Sequence, residues 1–400
     1  MKYYKRNLTE KFLKNLDNDL FLILTGGRQT GKTTFIKYVY NSLLAQKTCY
    51  FINLENPEFL QIIDAHPDNL FKITNSLPED NQIVFIDEIQ YLKNPTNFLK
   101  YLYDEYKGSL KIIATGSSSF YLDRKFKDSL MGRKRLFHLN TLSFKEFLLF
   151  KEDEELVNEI ETKQNIPPLH LKKLELYLSE YTSYGGYPSV CLAKDKSEKA
   201  EIISEIASDY IQKDIYEARI QDKNKYYFLL KILANQTGSL LNSNEVSNTL
   251  GIAATTVEKY LYVMQKSFQI ALIRPFYQNI RKEITKMPKA YFLDTGLRNH
   301  FSGSFDHIEL RNDRGILLEN VVFRELLLNN PPENIKFWRT QNKAEIDFVI
   351  AQKKTWEVKF KRKEFRRSKF ELFASYYPNI KVDCISFDDI LPLALNIKLR

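Results

Sequence analysis

Two spacings of apolar residues divide this chain. Leu20-Phe21-Leu22-Ile23-Leu24, Ile83-Val84-Phe85-Ile86 and Ile112-Ile113-Ala114 are short unbroken apolar runs, as expected of strands buried on both faces. Thr48-Cys49-Tyr50-Phe51-Ile52-Asn53-Leu54 is a further strand candidate, and 34–39 and 97–106 lie between the runs as helix candidates. Strands and helices in alternation predict an α/β fold with a parallel sheet over residues 1–145. From 146 to 222 the helical period takes over, with Leu171, Leu174, Leu178 and Tyr181, then Ile202, Ile203, Ile206, Tyr210 and Ile211. Strand patterns return after 270.

The first apolar run leads into Gly26-Gly27-Arg28-Gln29-Thr30-Gly31-Lys32-Thr33-Thr34, which contains G-x-x-x-x-G-K-[ST]. Strand, glycine loop and helix together make a phosphate-binding loop. Its glycines let backbone amides close on phosphate oxygens, and the helix N-terminus adds partial positive charge. Lys32 is expected to reach the β- and γ-phosphates, and the Thr33 hydroxyl to ligate Mg²⁺.

The second apolar run ends in Asp87-Glu88, acids at the carboxyl end of a buried strand, where ligands of such sheets bind. Asp87 is placed to hold Mg²⁺ and Glu88 to polarise an attacking water. The third run ends in Thr115-Gly116-Ser117, where Thr115 or Ser117 can hydrogen-bond the γ-phosphate or the lytic water. Arg133, in Gly132-Arg133-Lys134-Arg135, is a candidate for neutralising the transferring phosphate, within its own subunit or from a neighbour.

Composition narrows the class. The chain has 400 residues, 44% of them hydrophobic, and a net charge of +9. That excludes a disordered chain and permits a polyanionic partner. The three cysteines, Cys49, Cys191 and Cys384, are too dispersed for a disulfide framework or zinc site. With no apolar leader and no membrane-length run, the expected location is the cytoplasm, with no membrane partner.

Gly27 to Thr33, Phe85-Ile86-Asp87-Glu88-Ile89-Gln90, Ala114-Thr115-Gly116-Ser117-Ser118 and Gly132-Arg133 together resemble the AAA-type ATPases that carry a C-terminal domain of unknown function, DUF4143. Ser143-Phe144-Lys145-Glu146-Phe147 and Gly185-Gly186-Tyr187-Pro188 are similar to segments of the same family. The resemblance spans essentially the whole chain. It implies ATP binding and hydrolysis, with residues 146–222 acting as a helical lid. Gly27 departs from the pattern, since many relatives have proline there.

Residues 223–295 read as a winged helix. Asn242 and Glu245, then Thr255 and Glu258, have capping-box spacing. Val257, Leu261, Met264 and Phe268 form an apolar face, and 270–273 with 289–293 form the wing. Thr255, Thr256, Lys259 and Gln265 are then left to meet DNA; the alternative is a packing module.

Residues 296–400 hold a second constellation. Asp347, Glu357 and Lys359 can converge if their strands form a hairpin, with Glu319 on a preceding helix. The arrangement resembles the PD-(D/E)xK nuclease fold, a restriction-endonuclease-like α/β domain. That resemblance implies Mg²⁺ on Asp347 and Glu357, support from Glu319, and Lys359 on the water. Such a fold can also bind nucleic acid without cleaving it. The expected partners are ATP and DNA, with a homo-oligomer left open.

Overall fold

The computed structural model describes residues 3–116, 130–162, 166–277, 280–340, 342, 344–350 and 354–389. The chain divides into two compact units, Met1–Asn140 with Lys266–Phe268, and Thr141–Gln265 with Gln269–Arg400.

The first unit is built on five parallel strands, β1 (Phe21–Thr25), β2 (Thr48–Asn53), β3 (Gln82–Asp87), β4 (Leu110–Gly116) and β5 (Lys134–His138), in the order β2-β3-β4-β1-β5. Alternating side chains divide each run between two cores. Phe21, Ile23, Val84, Ile86, Ile112 and Ala114 face one side, where Phe98, Leu99 and Leu102 of the helix Pro95–Tyr106 cover them. Leu22, Leu24, Ile83, Phe85 and Ile113 face the other, under Phe35, Ile36 and Val39 of the helix Lys32–Leu43. The predicted α/β core is therefore present. Its order places the tip of β4 between those of β1 and β3.

The second unit begins with helices. Ser143 caps Phe144–Phe150: its hydroxyl accepts from the Glu146 amide at 3.1 Å, and the Ser143 amide donates to Glu146 Oε2 at 2.8 Å. The helix Glu154–Thr162, whose charges predict a solvated element, buries Leu156, Val157 and Ile160 on one side. Two glycine motifs interlock further on. The Gly186 amide donates to Asp294 Oδ2 at 2.8 Å, while Asp294 Oδ1 accepts from the Gly296 amide at 2.9 Å. A Cβ on Gly186 would collide with the Leu142 carbonyl oxygen.

Helices Lys223–Asn235, Ser243–Leu250 and Ala254–Lys266 precede the antiparallel pair β6 (Ile270–Pro275) and β7 (Lys289–Phe292). Asn242 caps the middle helix through the amides of Asn244 and Glu245. The third helix starts at Ala254, so Thr255 lies inside it rather than at its cap.

The remaining strands are β8 (Ile335–Arg339), β9 (Glu345–Ile350), β10 (Lys354–Lys359) and β11 (Val382–Ser386). They join β6 and β7 in one six-stranded sheet, ordered β11-β10-β9-β8-β6-β7. The boundary expected at 295 thus falls within a sheet: β6 pairs with β8 through Arg274 to Lys336 and Pro275 to Phe337. Both groups of strands bury apolar faces, and one continuous sheet covers more of them than two separate ones would.

Candidate nucleotide site and a buried carboxylate cluster

The 26–33 loop leaves β1 by a close approach. Gly26 has φ +158°, and a Cβ there would collide with the Leu139 carbonyl oxygen. Gln29 and Gly31 take φ +54° and +92°, which turns the backbone into the helix. Gly31 is the N-cap, with no side-chain cap on the first amides of that helix. The Thr30 hydroxyl donates to Gly27 O at 2.9 Å. The Lys32 ammonium is buried and donates to Gly26 O at 3.1 Å and Gly27 O at 2.8 Å.

The acids meet this loop directly. Thr33 Oγ1 donates to Asp87 Oδ2 at 2.8 Å. The Thr115 hydroxyl, fully buried at the tip of β4, donates to Asp87 Oδ1 and accepts from the Glu88 amide at 3.0 Å. Glu88 itself takes a left-handed backbone, φ +59°, and accepts from Gln90 Nε2. The three strand tips thus gather Lys32, Thr33, Asp87, Glu88 and Thr115. Of the two hydroxyl candidates after the third apolar run, Thr115 is in this group, and Ser117 lies outside the described residues. Thr34 is exposed on the first helical turn.

Arg133 is not in the group. Its carbonyl accepts from the Phe21 amide, and Phe21 pairs with Lys134, so it sits where β1 begins. The phosphate loop starts where β1 ends, about 13 Å away at ~3.3 Å per residue. Its guanidinium pairs with Asp104, Nε to Oδ1 at 2.6 Å and Nη2 to Oδ2 at 3.2 Å. Action on its own subunit's nucleotide is therefore corrected: the basic run is visible in sequence, but the register that carries it to the far end of the sheet is not.

One residue of this site is not legible in the sequence. Arg6, 5% exposed, donates from Nη1 to Thr30 O at 2.9 Å and from Nη2 to Asn140 O at 2.7 Å. It ties the crest of the loop to the chain beyond β5.

In the second unit, β9 and β10 pair antiparallel, with Trp356 opposite Phe348. One step on, the Val358 amide donates to Asp347 Oδ2 at 2.8 Å, and the Lys359 ammonium pairs with Glu357. Glu319 joins them from the helix Arg314–Leu326. Burial first, then the Asp347 charge, pushes Glu319 up to about 8 and Glu357 up to about 7. Burial also raises Asp347.

These residues converge as expected, but they do not fit a metal. Among the described residues, no group of three or more His, Cys, Asp or Glu side chains is disposed to hold an ion. Glu319 accepts from the Tyr291 hydroxyl and lies 3.5 Å from the ammonium of Lys289. Lys289 is 1% exposed and also pairs with Glu345. Burial works against its charge, yet Glu319, Asp347 and Glu345 together outweigh it and hold the lysine above its ordinary range. The metal role expected of Glu319, Asp347, Glu357 and Lys359 is corrected accordingly. The one clue in sequence is a lysine heading an otherwise apolar strand, Lys289-Ala290-Tyr291-Phe292.

A five-stranded parallel sheet with a phosphate loop after β1 and an acid pair at the tip of β3 defines the nucleotide-binding class of AAA-type P-loop proteins. Residues 18–148 match the family described as AAA domain, and 314–385 match a domain of unknown function, DUF4143. The chain carries both domains, and 175–307 match a second domain of unknown function, DUF8612. An uncharacterized protein of Methanocaldococcus jannaschii is 29% identical over 82% of this chain and 71% of its own. One from Haemophilus influenzae is 26% identical over 87% of this chain and 84% of its own. Among solved structures, the ADP form of the Aeropyrum pernix ORC2 protein aligns with a TM-score of 0.37 and 14% identity, over 79% of this chain and 92% of that one. Among the described residues, no helix is long and apolar enough to cross a membrane.

Proposed function

We propose that this chain binds ATP and hydrolyses it at the tips of β1, β3 and β4. The observation that carries the reading is the Thr33 hydroxyl bonded to Asp87 at 2.8 Å, which brings loop and acid pair within reach of one triphosphate. Lys32 exchanges the carbonyls of Gly26 and Gly27 for phosphate oxygens. The loop from Gly26 through Thr34, with Arg28, Gln29, Thr30 and Gly31, supplies the amides that surround the phosphates. Mg²⁺, arriving with the nucleotide, fits Thr33 and Asp87, a hydroxyl and a carboxylate beside each other, and supplies charge neutralisation there. Glu88 takes the proton of the attacking water, and Thr115 orients both acids. ATP turnover by the full chain tests this: Lys32→Ala should lose it, and normal turnover by that variant would refute the reading.

The nucleotide state is further read as controlling the helical 146–222 lid, the winged-helix segment 223–295 and the C-terminal module, acting on DNA. Supporting this is the exposed stretch 361–369, where Lys361, Arg362, Lys363, Arg366, Arg367 and Lys369 offer positive charge to a phosphate backbone. Fluorescence anisotropy with labelled duplex DNA checks it: binding should weaken steeply with salt and change with ATP. Salt-independent or absent binding returns the chain to the alternative, a nucleotide-switched protein-interaction module. Arg133 is kept only as a residue offered to a neighbouring copy.

A further inference from the structure

The C-terminal carboxylates are arranged round a lysine. Lys289 opens β7, and its ammonium is buried between Glu319, 3.5 Å away, and Glu345, with which it is ion-paired. Glu345 takes a second cation from Arg339, and Glu357 takes Lys359. Asp347 is held by the Val358 amide, and Glu319 also by the Tyr291 hydroxyl. Each of these acids already has a donor from the protein on one oxygen, although Glu357 Oε2 is buried without one, and Glu319 and Glu345 share the buried ammonium of Lys289.

We propose that Lys289 is a built-in cation that takes the place of a divalent metal in this cluster, so the C-terminal module holds its carboxylates together without Mg²⁺ and does not cleave phosphodiesters. A divalent ion demands several oxygen ligands close to 2.0–2.1 Å for Mg²⁺. Here an incoming ion would meet an ammonium already buried between Glu319 and Glu345. A carboxylate cluster with its own ammonium retains the fold of a phosphodiester-cleaving site and loses the Lewis acid that activates water and steadies the leaving oxygen. This inference is independent of ATP hydrolysis, which belongs to the other unit.

Mn²⁺ titration of the nucleotide-free full chain, read by electron paramagnetic resonance of the free ion, tests it. Wild type and Asp347→Asn should take up Mn²⁺ identically. Lys289→Met should gain a further ion, which Asp347→Asn removes again in the double variant. Uptake by wild type that falls in Asp347→Asn overturns the proposal, and so does a folded Lys289→Met chain that gains no ion. If Lys289→Met does not fold, wild type against Asp347→Asn still decides. Supercoiled plasmid with Mn²⁺ should stay intact, and nicking that Asp347→Asn abolishes also overturns it.

Discussion

Thr33 gives its hydroxyl proton to Asp87, 54 positions further along the chain, across 2.8 Å. One bond thus fastens the start of a helix to the end of another strand. Thr115 holds the other oxygen of the same carboxylate and the Glu88 amide as well. The chemistry proposed for the acid pair depends on this three-point arrangement.

Glu88→Gln removes the proposed base and keeps the shape. ATP turnover should fall on the order of 10²- to 10⁴-fold, the usual contribution of general-base catalysis. Affinity for a fluorescent ATP analogue should change little. Full turnover by the variant assigns the water to another group.

Thr115→Val replaces the buried hydroxyl by a methyl group of similar volume. It leaves the Glu88 amide and Asp87 Oδ1 without their partner, at a cost of about 1–3 kcal/mol for each buried group left unsatisfied. The urea midpoint should drop and turnover with it, while Thr115→Ser should restore both. A Thr115→Val chain of wild-type stability and rate would remove the orienting role.

Gly26→Ala should damage the loop. Its backbone lies where side chains are strained, and the new Cβ would strike the Leu139 carbonyl. A loss of about 1–3 kcal/mol or more is expected, together with weakened nucleotide binding, measured by urea unfolding and analogue titration. The same change at exposed Gly108, where a Cβ meets nothing nearby, controls for backbone strain alone.

Glu325 sets a pH dependence in the second unit. Its Oε1 accepts from the Phe144 amide at 2.9 Å and the Tyr181 hydroxyl at 3.2 Å. Burial pushes it from 4.5 up to about 7. Between those values the folded chain keeps a proton that the unfolded chain has lost, so this group's stabilisation falls as pH rises and is gone above about 7. Melting temperature followed across that range should decline less steeply in Glu325→Gln. An unchanged slope would place the titration elsewhere.

Arg133→Ala breaks a half-exposed pair with Asp104, and such pairs contribute about 0.2–1 kcal/mol. Melting temperature should hardly move. Turnover by dilute protein should be unchanged, because the arginine is at the far end of β1. A loss of turnover seen only at high protein concentration would instead support delivery to a neighbouring copy.

What could be read from residues alone follows the range of the forces involved. The phosphate loop, the acid pair and the strands around them are local patterns, and they stand where Lys32, Thr33, Asp87 and Glu88 were expected. The β9–β10 hairpin was also legible, because alternation puts Glu357 and Lys359 on one face. Arg133 was misplaced because parallel register is set by partners more than a hundred residues apart, Phe21 with Lys134. Arg6 and Lys289 were missed for the same reason: each is meaningful only through distant acceptors. A charged residue inside a buried strand was the available warning for Lys289.

The sheet that joins β6 to β8 has a practical consequence for dissecting the protein. A fragment cut to begin at 296 would strip β8 of its β6 neighbour while leaving it paired with β9, and so expose unpaired amides and carbonyls along one side, an edge prone to stick to other chains. The same cut would discard Lys289 and leave Glu319 and Glu345 repelling one another across a hydrophobic interior. Insolubility of such a tail would reflect where the scissors fell, and an assay of it would be silent about the intact molecule.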